Sequence, residues 1–197
     1  LSYKPDGLLF DKHLRSIIRP VSNVIRDWMH TLMSGGVGGS EMCLLLQALK
    51  AEGVSLDKVQ QYAGSFTLPR SRGKLNVSSF ADHRMTDGQL RSFASEQLNM
   101  LPVLDCFLTD AIKPSGTLSE NVKCFELLRN IVEILSMGPH EAMSHIEALK
   151  NFIYEHNKRF RMLCQSFVKP KFHHMMHPRG PTANVRKSAK KPHDAPA

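Results

Sequence analysis

The chain has 197 residues, is 42% apolar, and carries 26 Lys or Arg against 18 Asp or Glu, a formal net charge of +8. That is enough apolar material for a core in one domain or two, and it excludes a chain that is disordered throughout. No apolar run approaches the length needed to cross a bilayer, and LSYKPDGLLF at the N-terminus lacks the basic, apolar and small-residue order of a signal peptide.

Residues 1–20 read as an irregular segment, broken by Pro5 and Gly7. Pro20 then opens a first helix over 21–33. Along it Val21, Val24, Ile25, Trp28, Met29 and Leu32 recur at steps of three and four, an amphipathic stripe. Gly35 and Gly36 end this helix, and Gly38 with Gly39 prolong the break. Ser40 is the expected cap of a second helix over 41–52, whose Leu44, Leu45, Leu46 and Leu49 make it central to the core.

Ser55 caps a third helix through Phe66. The loop LPRSRGK over 68–74 follows, basic and glycine-containing but without the Walker spacing that brings amides and a lysine together on phosphates. Residues 75–80 could form a short extended piece. Thr86 with Gln89, and Thr117 with Glu120, have capping-box spacing. From the first, a helix runs through Met100, is interrupted or kinked at Pro102 and continues over 103–113; from the second, one runs over 118–137 with Val122, Phe125, Leu128, Val132 and Leu135 on one face.

Gly138 stops that helix, and Pro139 opens a last long one to about Phe167, with Met143, Ile146, Leu149, Phe152, Ile153, Phe160 and Leu163 expected inward. Leu44, Leu45, Leu49, Phe125, Leu128, Ile131, Ile146, Leu149 and Phe152 should share one core. Five to seven helices with short connections imply an all-α multi-helix bundle over 21–177. From Pro178 to Ala197 the sequence turns to Pro, Ala, Lys and Arg, too poor in large apolar groups to offset its ordering entropy, and a disordered basic tail is expected.

The positive charge belongs to the C-terminal fifth. From Lys158 onward there are ten Lys or Arg and one acid, Asp194, which leaves the first 157 residues at −1. Such an end suits a polyanion, most often nucleic acid, because each neutralised phosphate releases a counterion. The candidate contacts are Lys158, Arg159, Arg161, Lys169, Lys171, Arg186, Lys187, Lys190 and Lys191. The other reading is a tail that only solubilises.

Cys43, Cys106, Cys124 and Cys164 are far apart, sit among apolar neighbours and form no C-x-x-C, so buried, unbridged thiols in a reducing, intracellular compartment are expected. The start at Leu1 rather than Met is what a piece of a longer protein would show.

Two polar strings frame the helical span. In RDWMH, Asp27 and His30 are three residues apart and share a helix face, which suits a carboxylate at a divalent metal with an orienting imidazole and equally suits ordinary polar neighbours on a half-buried helix. In KFHHMMH, His174 and His177 have the spacing of a metal pair on one turn, and His173 adjoins them. No second pair of ligands accompanies them, so no metal site is assigned, and histidines lining a groove is the simpler reading.

Asp27-Trp28-Met29-His30, together with Lys171, His173 and His177 in a K-x-H-x-x-x-H string, resembles the helical insertion region of a cut-and-paste DNA transposase of the CACTA or hAT type, as in a mobile-element open reading frame of a protist, over roughly residues 5–177. The resemblance implies a ribonuclease-H-like core with a metal-binding D-D-E triad, interrupted by this all-helical insertion. It also implies a truncated or degenerate copy, since the glutamate run that follows the histidine string in the family is replaced here by PRGPTANVRKSAKKPHDAPA and the first aspartate would precede Leu1.

Only Asp27 and His30 inherit a site role, as vestigial catalytic residues, with Asp11 the nearby alternative. Magnesium would be needed only by an intact core, so no cofactor and no strand transfer are expected. The implied partner is DNA, in the nucleus. The alternative function is a helical protein–protein interaction module, binding another protein or a second copy through apolar faces.

Overall fold

The computed structural model describes residues 28–33, 35–137 and 139–167. The irregular N-terminal segment, most of the first expected helix, the second histidine string and the basic tail lie outside these residues. Among the described residues the fold is all-α: α1 Trp28–Leu32, α2 Val37–Ala51, α3 Leu56–Ser65, α4 Ala94–Phe107, α5 Ser119–Ser136, α6 Pro139–Ser144 and α7 Ile146–Leu163. A small hairpin interrupts it, with β1 Met85–Thr86 antiparallel to β2 Gln89–Leu90. No helix among these residues is long and apolar enough to cross a membrane.

The core forms around α2, where Val37, Met42, Cys43, Leu45, Leu46 and Leu49 are all buried. A helix apolar on nearly every side has to be enclosed by its neighbours. The largest helix–helix contact is that of α5 with α7. Phe125, Leu128 and Ile131 from α5, and Leu149, Ile153 and Phe160 from α7, join the α2 residues in one cluster. Helix α3 is capped as expected, with the Asp57 amide donating to Ser55 Oγ at 3.2 Å.

Several boundaries differ from the expectation, each for an identifiable reason. Helix α2 starts at Val37 rather than after Ser40, so Gly38, Gly39 and Ser40 lie buried in its first turn. Small size here serves packing: a Cβ on Gly36, the N-cap, would collide with the carbonyl of Thr31, and one on Gly39 would stand 3.2 Å from the side chains of Gln89 and Gln97. Ser40 Oγ donates to the Gly36 carbonyl at 3.4 Å and accepts from Gln89 Nε2, which ties β2 to α2.

Thr86 and Gln89 do not cap a helix. Between them Asp87 (φ 52°) and Gly88 (φ 67°) make the two-residue turn of the hairpin, an arrangement that needs positive φ at both positions. The capping contact belongs to the next helix, where the Phe93 amide donates to Glu96 Oε2 at 2.9 Å just before Ala94.

Thr117 and Glu120 also form no box. Helix α5 follows Leu118, whose φ is 54°, without a side-chain cap, and Glu120 turns instead to Lys123 and Arg159. Helix α4 passes through Pro102 unbroken, and the irregularity comes later, as a wide π turn over Leu108–Ile112. Residues 75–80 contain no strand; Val77–Phe80 is a 3-10 turn capped by Asn76.

The last expected helix is divided at His145, and α7 ends at Leu163. Of its inward set Leu149, Ile153 and Phe160 are buried and Phe152 half-buried, whereas Met143, Ile146 and Leu163 are exposed. Leu44 too is half-buried and packs at the edge of the core.

Candidate functional site

Asp27 lies outside the described residues, and His30 is exposed in the middle of the short helix α1. Lys158, Arg159 and Arg161 lie in the second half of α7, where Lys158 and Arg161 are exposed. Arg159 is engaged: its Nη1 lies 2.5 Å from Glu120 Oε2, and Lys123 Nζ lies 2.9 Å from Oε1 of the same carboxylate. These cations, Lys123 first, hold the Glu120 carboxyl below its ordinary range. Lys169, Lys171, Arg186, Lys187, Lys190 and Lys191, like His173, His174 and His177, lie outside the described residues. Between residues 28 and 167 fourteen Lys or Arg face fourteen Asp or Glu, so the +8 of the chain comes wholly from the sequence on either side.

A second constellation lies inside the domain. Glu41 in the first turns of α2, Cys124 in α5 and His156 in α7 are 5%, 2% and 0% exposed, and a carboxylate oxygen, the thiol sulfur and an imidazole nitrogen lie within 4.8 Å of one another. An unpaired carboxylate in such a place would be very costly, and the pairing with histidine answers that cost. Because a carboxylate can only accept, His156 Nε2 is the donor to Glu41 Oε2, at 2.5 Å. The histidine ring stacks on Phe160, with centroids 6.0 Å apart.

The thiol of Cys124 completes the group, its sulfur 3.9 Å from the His156 carbonyl oxygen. Burial, and then the Glu41 carboxylate, push this thiol well above its ordinary range. Cys164, half-buried at the C-cap of α7, is raised by the same two causes in the same order. A cavity of about 10 Å³ is lined by Glu41, Cys124 and Cys164 together with Leu45 and Phe160. All four cysteines are thiols, but only Cys43 and Cys124 are buried as expected; Cys106 and Cys164 reach the domain's edge.

No spacing rule marks this cluster, because Glu41 and His156 are 115 residues apart. A partial signal was present. His156 falls on the apolar stripe of Leu149, Ile153 and Phe160, and Glu41 adjoins a run of buried residues in α2. A charged group on a core face announces a partner without saying which.

On another side, an apolar groove of about 550 Å³ is lined by Phe66, Leu68, Leu98, Leu101 and Pro102, with Arg129 at its polar part. Arg129 reaches Asp105 at 3.2 Å and Glu133 at 2.9 Å. Burial pushes the Asp105 carboxyl up and Arg129 opposes it, with burial the larger effect. Comparison of the chain with protein-family models, curated proteins and solved structures finds no match.

Proposed function

We propose that the chain is the helical domain of a transposase-like protein and binds DNA without sequence preference. The observation that carries this reading is the distribution of charge. The helical domain between residues 28 and 167 is electrically balanced, while the sequence flanking it holds the whole excess of +8. Attraction to phosphate is then a property of the flanks, and α7 presents exposed Lys158 and Arg161 near the end from which the basic C-terminal sequence continues.

Strand transfer by magnesium ions needs several convergent carboxylates, and of such a set the transposase resemblance assigns only Asp27. A nuclear location follows from the same reading.

Fluorescence anisotropy of a labelled duplex at two salt concentrations tests it. With about four phosphate contacts, a fourfold rise in salt should weaken binding on the order of 100-fold. The double substitution Lys158→Ala/Arg161→Ala should lower that dependence by up to about two contacts, equally for unrelated DNA sequences. Binding that ignores salt would overturn the proposal. It would favour a protein-interaction module, for which the groove beside Leu98 and Leu101 offers an apolar face of the kind a partner helix uses.

A further inference from the structure

We infer that Glu41, Cys124 and His156 form a structural zinc site that ties α2, α5 and α7 together, with Cys164 as the fourth ligand. The inference is independent of the nucleic-acid reading. Its first support is chemical: one carboxylate, one imidazole and two thiols are the donor types zinc takes in closed four-coordinate sites, whereas magnesium and calcium take oxygen alone.

The second support is geometric. Bond lengths of about 2.0–2.3 Å at a tetrahedral centre place ligand atoms roughly 3.3–3.8 Å from each other. Three donor atoms already lie within 4.8 Å of one another on three different helices. The 2.5 Å contact between Glu41 Oε2 and His156 Nε2 has to open by about 1 Å to admit an ion between them. The small cavity bordered by Glu41, Cys124 and Cys164 is where that space begins.

Burial supplies the third. Glu41, Cys124 and His156 are sealed from solvent, which suits a staple, while Cys164, half-buried beside the same cavity, would close the fourth position. Zinc would replace both thiol protons, Zn²⁺ plus two Cys–SH giving Zn(S–Cys)₂ plus two H⁺, with no change of oxidation state. The Glu41 carboxylate and the two thiolates then bring the charge of the site from +2 to −1. Because each thiol gives up a proton, affinity should rise with pH, up to tenfold per unit for each proton released.

The test uses the full chain, stripped with a chelator and titrated with zinc against a chromophoric indicator, and separately loaded with cobalt(II). One zinc per chain is expected. Cobalt should give a near-ultraviolet thiolate charge-transfer band and tetrahedral visible bands. Cys124→Ala should lose the charge-transfer intensity of that sulfur and weaken zinc by more than the roughly 10- to 100-fold seen when only an outer partner of a ligand is removed. The triple variant His173→Ala/His174→Ala/His177→Ala should bind as the parent does.

X-ray absorption at the zinc edge of the unmutated protein needs no variant to fold, and should show sulfur at about 2.3 Å beside nitrogen and oxygen at about 2.0–2.1 Å. A shell of nitrogen and oxygen only would overturn the assignment. So would zinc retained by Cys124→Ala and lost from the triple histidine variant.

Discussion

Replacing His156 with leucine should be among the most damaging single changes to the metal-free domain, and the reason lies with the residue left behind. Glu41 has a side chain only 6% exposed and His156 one that is fully buried, so the surviving carboxylate cannot regain water without parting α2 from α5 and α7. Breaking a buried pair in this way costs about 3–5 kcal/mol, against a total stability of about 5–15 kcal/mol for a domain of ordinary size.

With a urea dependence of about 2 kcal/mol per molar, the unfolding midpoint should fall by about 2 M. The double variant Glu41→Leu/His156→Leu removes the stranded charge and should recover most of the loss, because apolar side chains of similar volume often replace a buried pair at little cost. Urea unfolding followed by circular dichroism, with a chelator present throughout, closes the double-mutant cycle. The reasoning fails if His156→Leu costs under about 1 kcal/mol, or if the double variant is no more stable than the sum of the two single changes allows.

Leu45→Ala in α2 or Leu128→Ala in α5 should each cost about 2–5 kcal/mol, since both side chains are at most 2% exposed in the shared core; a loss below half a kcal/mol at both sites, by the same unfolding assay, would mean that the core is centred elsewhere. Gly36→Ala, at the N-cap of α2, should cost about 1–3 kcal/mol, because the new methyl meets the Thr31 carbonyl and the Leu32 carbonyl carbon, at 2.6 Å from the latter, and backbone cannot step aside as a side chain can; an unchanged melting temperature would refute this.

Metal-free stability should also fall at alkaline pH. The Cys124 thiol is raised from 9.0 in the folded state, so its contribution is complete below pH 9 and is lost as pH rises past that point, where the unfolded thiol ionises and the folded one does not. The slope from this thiol is at most about 1.4 kcal/mol per pH unit. Cys106 and Cys164 are raised as well and add to the fall, so Cys124→Ala should reduce the alkaline slope rather than abolish it, and an identical slope would refute the assignment.

Much of the architecture was legible because helix signals are local. Ser55 marks a helix start that depends only on neighbouring residues, and the stripe of Val122, Phe125, Leu128 and Val132 carries its own period. Where two local signals compete, spacing alone does not rank them. Thr86 and Gln89 satisfy a capping-box spacing, yet the Asp87-Gly88 pair between them is a stronger hairpin signal, and the turn prevailed. The glycines around α2 look like breakers because sequence shows their missing side chains and not the Thr31 carbonyl or the Gln97 amide that occupies the space. The Glu41–Cys124–His156 cluster was illegible for a deeper reason: its parts meet only through the tertiary fold, and no spacing records that.

The placement of α2 also bears on how the protein can be made. This helix, apolar nearly all round, is among the first parts of the domain to emerge from the ribosome, but His156, which answers Glu41, lies 115 residues later. At about 5–20 residues added per second, that interval lasts between about 6 and 23 seconds. Throughout it the nascent chain carries Glu41 among apolar side chains without the histidine that answers it. Local contacts cover part of the helix sooner, since α1, α3 and the β2 strand all pack on it, but the acid waits for α7. A translation pause inserted before α7 should therefore raise aggregation or chaperone retention of this chain, while one placed after Leu163 should not.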